Sequence, residues 1–313
     1  MIASVVTGLL VLLTSDICLA AEYRTGQQVM GTILQVSVIA NDVEHARRAA
    51  AAAVVEVQRW DDILTTWREA GELARLNRAA GSGPHPISPE LQTSLARMME
   101  LSAATDGAFD PGVGPLATLW TGDVAPSREA IERVGPVGIR SVLSLDSAAA
   151  ALAAGAALDS GAIGKGIGLD AAVELLQRAH VDAAFLDFGG SSQTAIGAPP
   201  DSPRGWLVAI AGLAEGEVRG VVALRDASLS TSRSRGPKAE EGQIVDPRSG
   251  LAVATPRLAT VRAERAADAD AWSTALVVQG RDGVQAAVRN HLDVFVEDAG
   301  GVVETPGFIE VPK

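Results

Sequence analysis

The stretch Asp159-Ser-Gly-Ala-Ile-Gly-Lys-Gly-Ile-Gly-Leu-Asp170 puts glycine at 161, 164, 166 and 168, at the entrance to a helix predicted over Lys165–His180. Without β-carbons, such a backbone can approach a charged phosphate ligand closely. Lys165 adds a positive charge in a chain with only two other lysines, Lys238 and Lys313. Gly161-Ala-Ile-Gly-Lys-Gly166 is not a P-loop. Its spacing is wrong, and Gly166 stands where Ser or Thr would bind magnesium. On its own the segment fits either a structural turn or a phosphate contact.

A hundred residues later, Ala267-Asp-Ala-Asp-Ala-Trp-Ser-Thr274 sets Asp270 and Thr274 four apart. On a helix the two share a face and offer the hard oxygen donors that Mg2+ takes. The same pair also fits two ordinary helix-surface residues.

Between these stretches, strand and helix signals alternate without an internal repeat. Gly31–Ala40 alternates as a strand does, and 183–188 reads as a buried strand ended by Gly189-Gly190. Further strands are predicted at 206–211, 218–224, 258–263 and 292–297. Helices are predicted at 43–64 (capped by Asn41 or Asp42), 89–105 behind Pro89, 127–134, 267–278 and 283–290. Strand pairs mixed with packed helices favour an α+β fold. No low-complexity linker divides the chain, so residues 21–313 are expected to form one domain.

The 313 residues are 47% hydrophobic, enough for a real core. The net charge of -12 leaves no basic surplus for nucleic acid. Ile2 to Leu13 is almost wholly apolar, and Cys18-Leu-Ala20 resembles a cleavage site, so residues 1–20 read as a signal peptide. The protein is then exported, to the periplasm, with no membrane span in the mature chain. No Lys or Arg precedes the apolar run. A mis-chosen start codon accounts for that, and a cytoplasmic protein with a buried N-terminal strand is the alternative. Cys18 is the lone cysteine and would leave with the leader, which removes thiol chemistry.

The histidines at 45, 85, 180 and 291 lack metal-ligand spacing, and there is no G-x-S-x-G elbow. The loop Thr105–Leu116 holds Phe109 between Asp106 and Asp110, a pattern shared by functional loops and by plain helix-to-strand corners.

The order of the pieces is more specific than any one of them. Met30-Gly-Thr32 is followed by Leu73-Ala-Arg-Leu-Asn77, Gly107-Ala-Phe-Asp-Pro111 and Gly114-Pro-Leu116 up to Trp120. Then come Asp159-x5-Lys165-Gly166 with Asp170, Gly189-Gly190, Thr231-Ser232, Asp246-Pro-Arg-Ser-Gly250 and Asp270-x3-Thr274. This series resembles the FAD:protein FMN transferase (ApbE) family over about residues 29 to 280.

The resemblance implies a T-fold-like α+β architecture, a mixed or antiparallel sheet packed with helices. It implies Mg2+-dependent transfer of FMN from FAD to a threonine hydroxyl of a flavoprotein, in a Ser/Asp-Gly-Ala/Ser-Thr-like motif, with release of AMP. It implies a magnesium ion held by Asp270, Thr274 and the backbone of Ala162. The flavin and its phosphates are expected near Met30, Trp67, Ala108, Phe109, Asp110, Asp159, Lys165 and Val245. Trp67 would stack on the isoalloxazine ring.

Three positions depart from the family pattern. Thr231-Ser232 is followed by Arg233-Ser-Arg235 instead of glycine and an aromatic, Gly112 replaces a threonine, and Gln243 replaces the histidine expected to be the base. An amide cannot act as a general base near neutral pH. The transferase would then rely on the metal, an Asp or the phosphate itself. A flavin carrier without turnover and a Mg2+-dependent FAD pyrophosphatase are the alternatives.

Overall fold

The computed structural model describes residues 21–121, 125–234 and 244–309. The predicted leader and Gln243 lie outside them. The chain begins with β1 (Ala21–Val29), which turns at Met30-Gly31 into β2 (Thr32–Ala40). Both turn residues have positive φ, 46° and 75°, and Val29 pairs with Thr32, so this is a two-residue primed turn matched to strand twist.

Helix α1 (Val43–Leu64) follows, its first turn capped by the Asp42 carboxylate accepting from the His45 amide at 2.7 Å. Its buried stripe, Ala46, Ala49, Ala50, Ala53 and Val57, recurs at helical spacing and is narrow enough for close packing. Then come α2 (Glu72–Arg78), β3 (His85–Pro86), α3 (Pro89–Ala104) and the short helices α4 (Gly114–Leu119), α5 (Arg128–Glu132) and α6 (Ile139–Val142). A small sheet is completed by β4 (Leu143–Leu145) and β5 (Ala149–Leu152).

Helix α7 (Gly164–Arg178) leads to β6 (Ala183–Phe188) and β7 (Ser192–Ile196), and β8 (Trp206–Ala211) and β9 (Val218–Leu224) form a separate hairpin. The chain continues through β10 (Ala227–Ser234), β11 (Arg257–Ala263), α8 (Ala266–Gln279), α9 (Val284–Arg289), β12 (Asp293–Asp298) and β13 (Gly301–Glu304).

Among the described residues the main sheet has eight strands, in the order β1-β2-β6-β7-β10-β11-β12-β13, each pairing antiparallel. This is the expected α+β arrangement. One face buries Leu34, Val36 and Val38 of β2 with Leu186 and Phe188 of β6 against α1 and α7. The opposite face packs on the β8–β9 hairpin, where Phe185 stacks on Trp206 at 5.4 Å. That alternation follows from the two-residue period of a strand.

Most predicted elements appear within two residues of their expected ends. Three long strands do not follow from the hydrophobic pattern: β1, β7 and β10. The first is a polar edge strand. The other two are central, and their inward residues are hydroxyls.

Candidate functional site

A cavity of about 630 Å³ opens at the N-terminal end of α7, within the ~300–1,000 Å³ typical of small-molecule sites. Four segments wall it: the Met30–Thr32 turn, the stretch after α1 from Leu64 to Arg68, the glycine-rich segment Asp159–Lys165, and Gly189 with Ser191. Met30 reaches it because the primed turn holds a non-glycine residue in the left-handed region, a conformation that persists only where surrounding structure enforces it. Trp67 is 87% exposed beside it, a large aromatic face left uncovered.

The glycine-rich segment is fastened from every side. The Asn77 side chain donates to the Leu158 carbonyl and accepts from the Leu158 amide, both at 2.8 Å. The Asp159 amide donates to the Pro111 carbonyl at 2.7 Å, and the Ser160 hydroxyl donates to the Leu64 carbonyl at 2.8 Å. Lys165 donates to the Ser191 hydroxyl and has no carboxylate partner among the described residues.

Behind this wall, α7 crosses α8 so closely that a Cβ on Gly166 would run into the Ala266 carbonyl. Each helix takes a carboxylate from the other. Asp270 of α8 accepts the Gly166 amide at 2.6 Å, and Asp170 of α7 accepts the amides of Ala266 and Ala267 at 2.7 and 3.2 Å. Both acids thus sit at helix N-termini, where free N–H groups favour negative charge. At its other end α8 is held by Arg257, which donates to the carbonyls of Val277 and Val278.

Asp270 is buried and accepts two further hydrogen bonds, from Ser192 of β7 at 2.7 Å and Ser230 of β10 at 2.6 Å. From there a chain of hydroxyls runs through Ser273 and Ser232 to Thr274. All three donors to Asp270 are neutral, and no Lys or Arg pairs with it among the described residues. A buried carboxylate without a counter-charge fits a cation site. No cluster of three or more His, Cys, Asp or Glu occurs among the described residues. Asp270 and Thr274 do not line the cavity; by chemistry alone, one carboxylate with hydroxyl and carbonyl oxygens matches the donors that Mg2+ takes when it shares its shell with phosphates.

Burial pushes the Asp170 carboxyl up to about 6, against the opposing pull of the Ala266 amide and the Arg265 guanidinium. The folded state therefore holds this proton more tightly than the unfolded chain. Its contribution to stability is full below about pH 4, the ordinary Asp value, and falls as pH rises toward 6, by at most about 3 kcal/mol. Asp170→Asn keeps an acceptor for α8 and removes the titration. Urea midpoints at pH 4 and pH 7 should show the variant gaining on wild type as pH rises, and parallel midpoints would refute the assignment.

Of the expected contacts, Met30, Trp67, Asp159 and Lys165 come together at the cavity. Ala108 and Phe109 do not line it and are buried behind the wall. Asp110 spends its carboxylate on Ser102, Gly112 and Ile139, each at 2.7 Å, and joins three segments of that core. Val245 is buried in a bridge with Ala252, away from the lining, and Ala162 packs at the edge of the core.

One of the three departures has a structural cause. A Cβ on Gly112 would come within 2.5 Å of the Ile139 nitrogen, so a threonine does not fit there. Arg233 donates to the Gly212 and Leu213 carbonyls, towards the β8–β9 side of the sheet, while neighbouring Ser232 bonds Ser273 and Thr274 of α8. Sequence reasoning passed over Ser191, Ser192 and Ser230. Their available signals were the serine pair directly after Gly189-Gly190 and the alternation of Ser228, Ser230 and Ser232.

The profile of the ApbE family matches residues 30–296. The FAD:protein FMN transferase of Salmonella typhimurium is 27% identical, the match covering 88% of this chain and 84% of the relative. That of Treponema pallidum is 30% identical over 86% of this chain and 82% of its own length. Among solved structures, the apo Pseudomonas stutzeri flavinyl transferase ApbE superposes with a TM-score of 0.82 at 24% identity, covering 92% of this chain and 96% of that one. The Thermotoga maritima ApbE protein gives the same score and identity, with 92% and 98% covered. With most of its length matched, this chain belongs to the ApbE family.

Proposed function

We propose that this protein is an FAD:protein FMN transferase. It moves FMN from FAD to a threonine hydroxyl of an exported flavoprotein, in a Ser/Asp-Gly-Ala/Ser-Thr-like motif, and releases AMP. The observation that carries the reading is the convergence of Trp67, Lys165, Asp159 and Met30 on one cavity, in a family whose curated relatives carry that activity in their names.

The roles follow from the chemistry of each group. Trp67 offers its uncovered face to the flavin ring. Lys165, free of any carboxylate among the described residues, offsets phosphate charge. Asp270, Thr274 and the Ala162 carbonyl would hold Mg2+, which when bound supplies charge neutralisation at the pyrophosphate. The fastened glycine-rich wall keeps these groups in register, and alignment is most of what phosphoryl transfer asks of a protein.

Purified protein incubated with FAD, Mg2+ and a peptide containing Ser-Gly-Ala-Thr should yield FMN-modified peptide and AMP. Free FMN and AMP over unmodified peptide would instead support the pyrophosphatase, and bound, unchanged FAD the carrier.

The export reading predicts that mature protein from the native host begins near Ala21. Soluble protein whose intact mass retains Met1 would refute export and, with it, periplasmic acceptors. No helix among the described residues is long and apolar enough to cross a membrane.

A further inference from the structure

An acceptor hydroxyl must lose its proton as it attacks phosphorus, and the described residues contain no imidazole at the cavity to take it. All four histidines are accounted for. His45 bonds the Asn41 side chain and the Ala179 carbonyl, His85 lies in the short strand β3, His180 follows α7 and His291 follows α9. None lines the cavity.

Two carboxylates do line it, Asp61 and Asp159. Asp61 is held by the Arg68 guanidinium at 2.9 Å. Asp159 has no cationic partner among the described residues. Its Oδ1 accepts the Gly161 amide at 2.7 Å, its own amide is fixed to the Pro111 carbonyl, and Oδ2 accepts nothing from the described residues. It is therefore an oriented carboxylate with one oxygen available, in the same wall as Lys165. A carboxylate can serve here, since protein kinases use an aspartate to accept the substrate hydroxyl proton.

Resting on the transferase reading, we infer that Asp159 is the general base of this chain, in place of the histidine that Gln243 replaces. The acceptor oxygen forms its bond to the FMN phosphorus while its proton passes to Asp159 Oδ2. The bond from that phosphorus to the bridging oxygen breaks, and AMP leaves with the electron pair. Asp159 thus has a role in the chemical step beyond any contact with bound flavin.

The test compares wild type, Asp159→Asn and the double variant Asp159→Asn/Gln243→His, using FAD, Mg2+ and the threonine peptide. Asparagine keeps an acceptor for the Gly161 amide, and measurable FAD binding reports an intact site. At saturating FAD, Asp159→Asn should lower kcat by about 10²–10⁴-fold, whatever the lost carboxylate does to FAD affinity, and the acid limb of the wild-type pH profile should vanish. In the double variant, activity and an acid limb should return, the limb now in the imidazole range of about 6.5. Weakened FAD binding with kcat preserved would make Asp159 a ligand contact and overturn the inference. An acid limb that persists in Asp159→Asn would overturn it too. A wild type that binds FAD but modifies no peptide would fail the transferase reading itself, and this one with it.

Discussion

Asp270→Ala is expected to lose Mg2+-dependent FMN transfer by more than about 10²-fold, the scale of removing one preorganised electrostatic group from a reacting centre. Two effects combine. The substitution takes away the one charged ligand of the proposed cation site, and it leaves the Gly166 amide and the Ser192 and Ser230 hydroxyls without their acceptor. Each orphaned donor costs about 1–3 kcal/mol, so the alanine protein should also unfold at lower urea concentration. Asp270→Asn separates the two, because the charge is gone while the amide oxygen can accept the Gly166 amide and the NH2 can donate to the serine hydroxyls, which also accept. The asparagine protein should fold near wild-type stability, bind FAD, and show no thermal shift with Mg2+. Wild-type turnover in either variant at saturating Mg2+ would place the metal elsewhere.

Gln243→His should raise transfer at neutral pH by about tenfold or more, a share of the two to four orders of magnitude that a well-matched base contributes. An imidazole titrates close to the working pH, where proton acceptance and the required protonation state coincide best. FAD affinity should be unaffected, since the family contact in this segment is expected at Val245. An unchanged rate of transfer would leave Asp159 as a sufficient base, whereas no transfer by either protein, with FAD held tightly by both, would favour the carrier reading.

What the sequence made legible was whatever rests on apolar periodicity or on glycine. Helix α1 and strands β6, β8 and β9 have the expected ends because their buried faces are plainly apolar. The helix-opening glycines were noticed as well, but their use was only half readable. Gly166 serves the crossing of α7 and α8 and touches no ligand cavity, whereas Gly161 and Gly164 line it. Strands β7 and β10 stayed hidden because Ser192, Ser228, Ser230 and Ser232 stand where a core strand would show valines. Ser192, Ser230 and Ser232 face inward because Asp270, Ser273 and Thr274 of α8 give them partners, and Ser228 bonds Thr194 of β7; no local pattern can announce partners that far along the chain. For the same reason the three hydrogen bonds of Asp110 could not be read from the sequence: the partners belong to three different segments.

Strand β1 also fixes where any upstream chain would attach. Its nine residues separate Ala21 from the Met30 turn, about 27–30 Å at the rise of an extended chain. Any chain upstream of Ala21, whether leader, anchor or affinity tag, is therefore attached at the end of the edge strand remote from the cavity mouth. An enzyme held at a surface through its N-terminus would keep that mouth about a domain's width from the attachment point, open to large folded acceptors.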